Sequence, residues 1–287
     1  MNDLQQGQNN PLKKYYRQPK QFIQLPSEYK FYPEGTIDVP ESGEVAVYPM
    51  TAKDELLFKT PDALLNGEAT VRVIQSCVPA IKNAWAMPSI DVDAVLLAIR
   101  MATYGQKMAM KVTIPNTSIE KDFDLDLQVG MDKLLTARYE TKTYYEDMEI
   151  ELRPLNYAQF TKASLKTFEE QRLSNVIADQ NVPEEEKVKQ FQKSFNTLTD
   201  INMDMVTDTI NSIKVDGQTV TDRAMIRDFV SNSSKEFFGS ILKHLETQRD
   251  KFQLPPIKQT STDEEKKQGA PEEYDVPIMF DTSNFFG

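Results

Sequence analysis

The sequence predicts an α+β protein built from two lobes with extended termini. Three observations lead to this prediction. Helix start and stop signals bracket apolar residues at helical spacing in segment 45–105, apolar and polar residues alternate in segment 107–128, and helical spacing resumes from residue 156. The first lobe is therefore expected to mix helices and strands, and the second to be mostly helical.

Segment 45–105 opens as a short apolar strand and then becomes helical. Thr51 is the expected N-cap of the first helix, because its hydroxyl can accept a backbone N–H. Asp91 is expected to open a stronger helix that is apolar on most sides and therefore largely buried. Gly105 is expected to end that helix, because glycine readily adopts the backbone conformations that helix ends require.

Alternation with a period of two predicts a β-hairpin at 107–128. Its first strand is expected at 107–114, and its turn at 115–118. A short helix is predicted at 130–135, and a third strand at 143–152.

From Asn156 onward the spacing of apolar residues is almost wholly helical. Asn156 is the expected N-cap of the first helix, and the acidic run 183–186 is expected to start the next. Residues 216–217 (Asp-Gly) predict a tight turn between two short β-segments. The last helix is predicted at 233–252, and the prolines at 255–256 are expected to end it.

These elements divide the chain into four parts. They are a flexible arm at 1–21, a mixed α+β lobe at 22–152 containing the hairpin 107–128, a mostly helical lobe at 153–254, and an acidic linker with an apolar C-terminal peptide at 255–287. The linker is expected to be mobile because segment 258–273 is polar.

Composition argues against several classes of function. The 287 residues are 39% hydrophobic and 27% charged, which fits a globular protein. A single cysteine rules out an internal disulfide, and a formal net charge of −11 argues against general affinity for nucleic acid or anionic lipid. No apolar run is long enough to cross a membrane, and the N-terminal sequence lacks the apolar core of a secretory signal.

Four stretches are distinctive in their order and spacing. Segment 48–105 contains YPMTAKDELLFKTPDALLNGEA, VIQSCVP and DVDAVLLAIRMATYG, and segment 25–35 contains LPS and FYPEG. Segment 215–229 reads VDGQTVTDRAMIRDF, and segment 276–287 reads VPIMFDTSNFFG. Together they resemble the baseplate hub subunit family of T-even-type contractile-tailed phages, and the resemblance covers most of the chain.

The resemblance implies a zinc ribbon on the hairpin, because many members of that family carry a Cys-x-x-Cys pair at its turn. In this chain Ile114 and Thr117 stand at those two positions. Neither side chain can supply the thiolate or imidazole that such zinc sites use. The hairpin is therefore expected to be zinc-ribbon-like but free of metal, and no cofactor is expected.

No catalytic constellation is visible in the sequence. His244 is the only histidine, and its mid-helix position predicts a surface residue rather than a catalytic base. Cys77 lies on the apolar side of a helix and is predicted to be buried and inert. Asp122, Asp124 and Asp126 resemble part of a calcium loop but lack the required Gly and Glu. We therefore expect no enzymatic activity.

The residues expected to bind partners lie near the two ends of the chain, which carry opposite charge. They are Tyr15, Tyr16, Ile278, Met279, Phe280, Phe285 and Phe286. Burial of each phenylalanine is worth roughly 1.5–3 kcal/mol, so the C-terminal peptide is expected to dock either on its own chain or on a neighbour. The basic arm is expected to order on a protein partner, and contact with nucleic acid is the alternative.

The resemblance implies a structural component of the baseplate hub that acts through protein–protein contacts in tail assembly. The expected location is the tail baseplate of the virion, after assembly in the host cytoplasm. Other hub proteins are the expected partners, with a homo-oligomer around the tail axis as an option, and no nucleic acid or membrane. Two alternatives stay open: a hub assembly chaperone that is not retained in the virion, and a nucleic-acid-binding ribbon protein that has lost its metal.

Overall fold

The computed structural model describes residues 11–59, 67–177, 184–254 and 256–276. The helices in these ranges are α1 (Ala52–Phe58), α2 (Glu68–Cys77), α3 (Ser89–Tyr104), α4 (Leu127–Thr136), α5 (Tyr157–Ile177), α6 (Glu184–Thr209), α7 (Arg223–Asn232), α8 (Lys235–Lys251) and α9 (Asp263–Lys267). The strands are β1 (Gln21–Ile23), β2 (Val45–Val47), β3 (Lys107–Thr113), β4 (Glu120–Asp126), β5 (Lys142–Tyr145), β6 (Met148–Leu152), β7 (Ile210–Val215), β8 (Gln218–Val220), β9 (Ile257–Thr260) and β10 (Glu273–Val276). Helices and small antiparallel sheets confirm the predicted α+β class.

The first hydrophobic cluster surrounds α3. Eleven of the sixteen residues of this helix are buried, because apolar side chains occupy most of its sides. Helices α2 and α4 and the strand pair β1–β2 contact α3, and α1 packs on α2. Gly105 ends α3 as predicted, with φ of 92°. The start differs from the prediction, since α3 begins at Ser89 and Asp91 lies inside its first turn.

Strands β3 and β4 form the predicted hairpin and pair over their full length. Asp126 ends β4 and caps α4, because its side chain accepts the backbone N–H of Gln128. The third member of the alternating aspartates therefore has a structural role at a helix start.

A four-stranded sheet in the order β5-β6-β7-β8 supports the second hydrophobic cluster. The single strand predicted at 143–152 is instead the hairpin of β5 and β6, with Glu146 in its turn at φ of 51°. Strand β6 pairs with β7, so Ile150 lies opposite Ile213 within one cluster. The sheet therefore takes strands from both sides of the lobe boundary that was predicted after residue 152, and the two predicted lobes share it.

The helices of the second region include the pair α5 and α6, which pack against each other. Asn156 caps α5 as predicted: its Oδ1 accepts the Gln159 N–H at 2.8 Å, and its own N–H donates to Gln159 Oε1 at 3.0 Å. Helix α6 runs directly into β7. Helices α7 and α8 bury Ile226 and Phe237 in the second cluster.

The segment after residue 256 is folded, so the predicted mobile linker is corrected. Strands β9 and β10 pair in antiparallel fashion, and α9 lies between them in the chain. Ala270, Tyr274 and Val276 pack with Ile114 of the β3–β4 hairpin as a third cluster. The composition of this segment did not predict a folded structure, because its few apolar residues are spread over a long polar stretch.

The arm predicted at 1–21 is also partly anchored. Residues 11–15 form a short 3₁₀ helix, the Lys20 N–H donates to the Val47 carbonyl at 3.0 Å, and Gln21 already belongs to β1. Residues 1–10 and the apolar peptide at 277–287 lie outside the described residues.

Candidate interaction surfaces

Arg17 anchors the N-terminal segment to α1 and α2. Its guanidinium donates to the carbonyls of Pro49 at 2.6 Å and Ser76 at 2.7 Å. It also reaches the buried carboxylate of Asp54 at 3.3 Å. A guanidinium has several N–H donors in a rigid plane and can therefore bind several acceptors at once. These contacts fix the chain at Arg17.

The same anchor presents the two predicted partner-binding tyrosines to solvent. Tyr15 is 74% exposed and Tyr16 is 57% exposed. The Lys14 ammonium lies 4.9 Å from the centre of the Tyr15 ring. The structure thus holds a basic, aromatic surface in place, while its role in partner binding stays a prediction.

The turn of the β3–β4 hairpin closes without metal ligands. Ile114 is fully buried in the third cluster. The Thr117 hydroxyl donates to the Ile114 carbonyl at 3.0 Å and accepts the Ile119 N–H at 3.1 Å. The two side chains at the expected cysteine positions therefore stabilise the turn by packing and hydrogen bonding. Across the described residues, no group of three or more His, Cys, Asp or Glu side chains could hold a metal ion.

Cys77 and His244 occupy structural positions. Cys77 is buried, and burial is the main reason why the pKa of its thiol rises to about 12, with the nearby Asp54 carboxylate adding to the shift. A thiol with that pKa is almost wholly protonated at neutral pH and is a poor nucleophile. A His244 ring nitrogen lies 3.0 Å from the Glu140 carbonyl oxygen, so this contact joins α8 to the segment before β5.

Helix α6 carries an exposed apolar stripe, defined here as Val188, Phe191 and Phe195. Their exposed fractions are 61%, 63% and 62%. The spacing places all three on one face of the helix. Phe168 of the adjoining helix α5 is also 51% exposed. The sequence showed the helical face but could not show that this part of it is left uncovered.

A cavity of about 460 Å³ lies between the start of α3, the start of α5, the end of α6 and the second half of α8. Its walls are mainly apolar, with Phe160 and Leu245 among them. Polar groups also line it, notably Asp93, Tyr139 and Arg249. The cavity has the size and mixed lining of a binding site.

Asp91 and Asp93 stand two residues apart on α3 but differ in their surroundings. The Asp91 carboxylate is buried, and it accepts the Ser27 N–H at 2.7 Å, the Ser27 hydroxyl at 2.5 Å and the Tyr32 hydroxyl at 3.0 Å. These bonds join the LPS and FYPEG motifs to α3. Burial raises the pKa of Asp91 to about 6 although those donors lower it.

Asp93 faces the cavity, and none of the described residues donates a hydrogen bond to its carboxylate. Burial alone raises its pKa to about 7. Sequence analysis interpreted the first of these acids, Asp91, as the sign of a helix start. The sequence did contain an indication that Asp93 is unusual, because this acid stands within an otherwise apolar stretch of the helix.

Comparison with known proteins identifies the family. The sequence model of the family described as T4 bacteriophage base plate protein matches residues 32–268, which is most of the chain. The chain belongs to this family. No curated protein and no solved structure gives a significant match. As a base plate protein it is a component of the phage tail, and other phage baseplate proteins are its partners.

The family match in this base plate protein covers the second hydrophobic cluster and most of the first, but it ends before Ala270, Tyr274 and Val276 of the third. It begins after Tyr15 and Tyr16 and ends before the apolar C-terminal peptide. The predicted residues Ile278, Met279, Phe280, Phe285 and Phe286 lie outside the described residues. The α6 stripe and the cavity lie inside the matched region. Where the structure is described, no helix is long and apolar enough to span a membrane.

Proposed function

We propose that this base plate protein is a structural subunit of the baseplate hub and acts only through contacts with other proteins, with no catalytic step and no cofactor. Family membership supports the baseplate role. The resemblance of segments 48–105 and 215–229 to hub subunits supports the hub. The protein assembles in the host cytoplasm and stays in the finished tail.

The observation that carries the proposal is the α6 stripe. Val188, Phe191 and Phe195 are each more than half exposed, although their spacing would suit a buried face. Burying one such side chain is worth roughly 1.5–3 kcal/mol. A partner that covers all three residues therefore gains a favourable contribution to binding from each of them.

The shape of the surface suggests how the partner docks. Residues 188, 191 and 195 follow the spacing of the apolar seam of a helix pair. An amphipathic helix of a neighbouring hub protein could lie along this seam, as in other helix-in-groove interfaces. Phe168 of α5 lies on the adjoining helix and would widen the contact.

Quantitative mass spectrometry of purified virions tests whether the protein is retained. A fixed number of copies per particle, comparable with known hub proteins, is the expected result. Absence from particles that assembled in its presence would contradict the structural role and would favour the assembly chaperone.

A paired substitution tests the α6 stripe itself. We expect the double variant Phe191→Ser, Phe195→Ser to fold normally but to fail to enter baseplates when it is supplied to a phage lacking the wild-type protein. Met225→Ser on α7 is the matched control, because Met225 is a helical residue of similar exposure at 64%. Normal incorporation of the double variant would rule out the stripe as the docking surface.

Filter binding with a salt titration tests the remaining alternative, a nucleic-acid-binding ribbon protein. Binding that relies on phosphate contacts weakens steeply as salt rises. We expect no such binding, because the formal net charge is −11 and the hairpin turn is closed by apolar packing. Steep salt-dependent retention of single-stranded or double-stranded DNA would overturn this expectation.

A further inference from the structure

The cavity beside α3 contains two polar groups without partners. The Asp93 carboxylate lines it and receives no hydrogen bond from the described residues. The Tyr139 hydroxyl lines it too, and this buried oxygen has no hydrogen-bond partner in the described part of the chain. Buried polar groups normally find partners. The orphaned Tyr139 hydroxyl, in the same cavity as a partly exposed Asp93 carboxylate that receives no hydrogen bond, therefore indicates a missing ligand.

The cavity favours a ligand of positive charge. Asp93 is a partly buried carboxylate in a mainly apolar wall, and an opposite charge offsets the unfavourable removal of that carboxylate from water. The other ionisable groups around the cavity are Tyr139, Tyr157, Glu246 and Arg249. Tyr139 and Tyr157 are neutral, since burial raises the pKa of both phenols.

Arg249 does not fill the role in this structure. It is the only cationic side chain among the described residues that line the cavity. Its guanidinium instead contacts Glu246 at 3.6 Å and Asp250 at 3.3 Å, and more than half of its side chain is exposed. The carboxylate of Asp93 is therefore left for a group from outside the chain.

The walls favour a guanidinium over a compact ammonium ion. Aromatic rings of Tyr139, Tyr157, Phe160 and Phe252 line the cavity, and the Tyr139 and Phe252 rings lie 6.4 Å apart. A guanidinium stacks on aromatic faces, is weakly hydrated, and has donors for both a carboxylate and a hydroxyl. The apolar part of an arginine stem would pack on the remaining wall.

We propose that this cavity receives an arginine side chain of a neighbouring baseplate protein, with its guanidinium bound to Asp93 and Tyr139. The source of the arginine rests on the proposed function, whereas the binding chemistry of the cavity does not. A test with a small probe therefore separates the two: failure of the probe to bind leaves the hub role standing, and absence of the protein from virions leaves the cavity result standing.

The probe is n-butylguanidinium, which mimics an arginine side chain, and its neutral isostere is n-butylurea. Trp85 is the only tryptophan, and its ring stacks on Tyr157 with centroids 5.6 Å apart. Because Tyr157 lines the cavity, Trp85 fluorescence reports occupancy. Equilibrium dialysis measures binding independently of any change in fluorescence.

At about pH 8 we expect the cationic probe to bind at least about tenfold more tightly than n-butylurea, the ratio typical of one charged hydrogen-bonded contact. Asp93→Asn should reduce this ratio to near one. Asp147→Asn, which removes an exposed charge in the β5–β6 turn, should leave it unchanged. Tyr139→Phe should weaken only the cationic probe, by a few-fold.

The ratio should also shrink at about pH 6, because Asp93 is then largely protonated and neutral. Equal binding of both probes to the wild-type protein would overturn the proposal. The same conclusion would follow if the preference survived in Asp93→Asn, or if dialysis detected no binding of the cationic probe.

Discussion

Helices α3 and α6 both carry apolar residues at helical spacing, yet the protein covers one and exposes the other. Leu97 and Ile99 of α3 are fully buried, whereas Phe191 and Phe195 of α6 are more than 60% exposed. Helix α3 has neighbours on most sides, since α2, α4 and two strands contact it. The comparison shows that periodicity identifies the apolar side of a helix, but the presence of a neighbour within the chain decides whether that side is core or surface.

The comparison extends to the acids of α3. Asp91 faces the protein interior and has three hydrogen-bond donors, whereas Asp93 faces the cavity and has none among the described residues. One helix therefore contains both a satisfied structural carboxylate and one that is open to a ligand. The following predictions test these contrasts.

Truncating the core side chain of α3 should have the largest effect. Leu97→Ala should lower the free energy of unfolding by about 2–5 kcal/mol, because it leaves a cavity beside fully buried neighbours. Urea unfolding followed by circular dichroism measures the change. A loss below about 1 kcal/mol would mean that α3 is not the centre of the core.

Removing the hydrogen bonds that Asp91 accepts should have the next largest effect on stability. Asp91→Ala leaves the Ser27 N–H and hydroxyl and the Tyr32 hydroxyl without their acceptor. The expected loss in the free energy of unfolding is about 1–3 kcal/mol, the usual cost of stranding buried donors. Hydrogen exchange should show faster exchange at the Ser27 amide, and unchanged protection there would contradict the assigned bond.

Asp93→Asn should raise the free energy of unfolding, in contrast to the two preceding substitutions. The size of this gain should depend on pH. In the folded protein the pKa of Asp93 is raised to about 7, against about 3.9 in an unfolded chain. Between these values the folded state binds more protons, so the wild-type free energy of unfolding falls as pH rises through this window. At about pH 8 the variant should be more stable by about 1–2 kcal/mol, a value reduced from the full shift because the site is partly open to water.

Unfolding at about pH 4 and about pH 8 checks this sign. The gain should nearly vanish at the lower pH, where Asp93 is neutral in the folded state and about half protonated in the unfolded chain. Asp147→Asn, on the exposed turn, should show no such gain at either pH. A variant that is destabilised at the higher pH would mean that the Asp93 carboxylate has a partner after all.

Truncating one side chain of the α6 stripe should have the smallest effect on stability. Phe191→Ser should change the free energy of unfolding of the isolated protein by less than about 0.5 kcal/mol, because its ring is mostly in water already. Thermal unfolding measures the effect. A large loss would show that the stripe packs within its own chain and would remove it as a docking surface.

Several local features were predictable from the sequence. Thr51 caps α1 with its hydroxyl accepting the Asp54 N–H, Asn156 caps α5, and Gly105 ends α3. The β3–β4 hairpin was also predictable. Each of these depends on contacts between residues close together in the chain, so residue type and spacing are sufficient evidence for them.

Features that depend on distant segments were not predictable in the same way. The pairing of β6 with β7 joins residues about sixty positions apart, and Arg17 reaches Asp54 across a separation of 37 residues. The folded segment 257–276 is held by a few apolar residues that meet Ile114. The local sequence pattern does not specify such a tertiary contact, because the contact depends on how the elements pack.

The sequence by itself determined the α+β class, the helix ends, the hairpin and the absence of zinc-binding side chains at its turn. The tertiary structure decided which apolar faces are covered, where the lobes meet, and why Asp91 is satisfied while Asp93 is not. The physical reason is range: caps and alternation act over a few residues, whereas burial and electrostatic environment are set by whichever distant segment packs alongside.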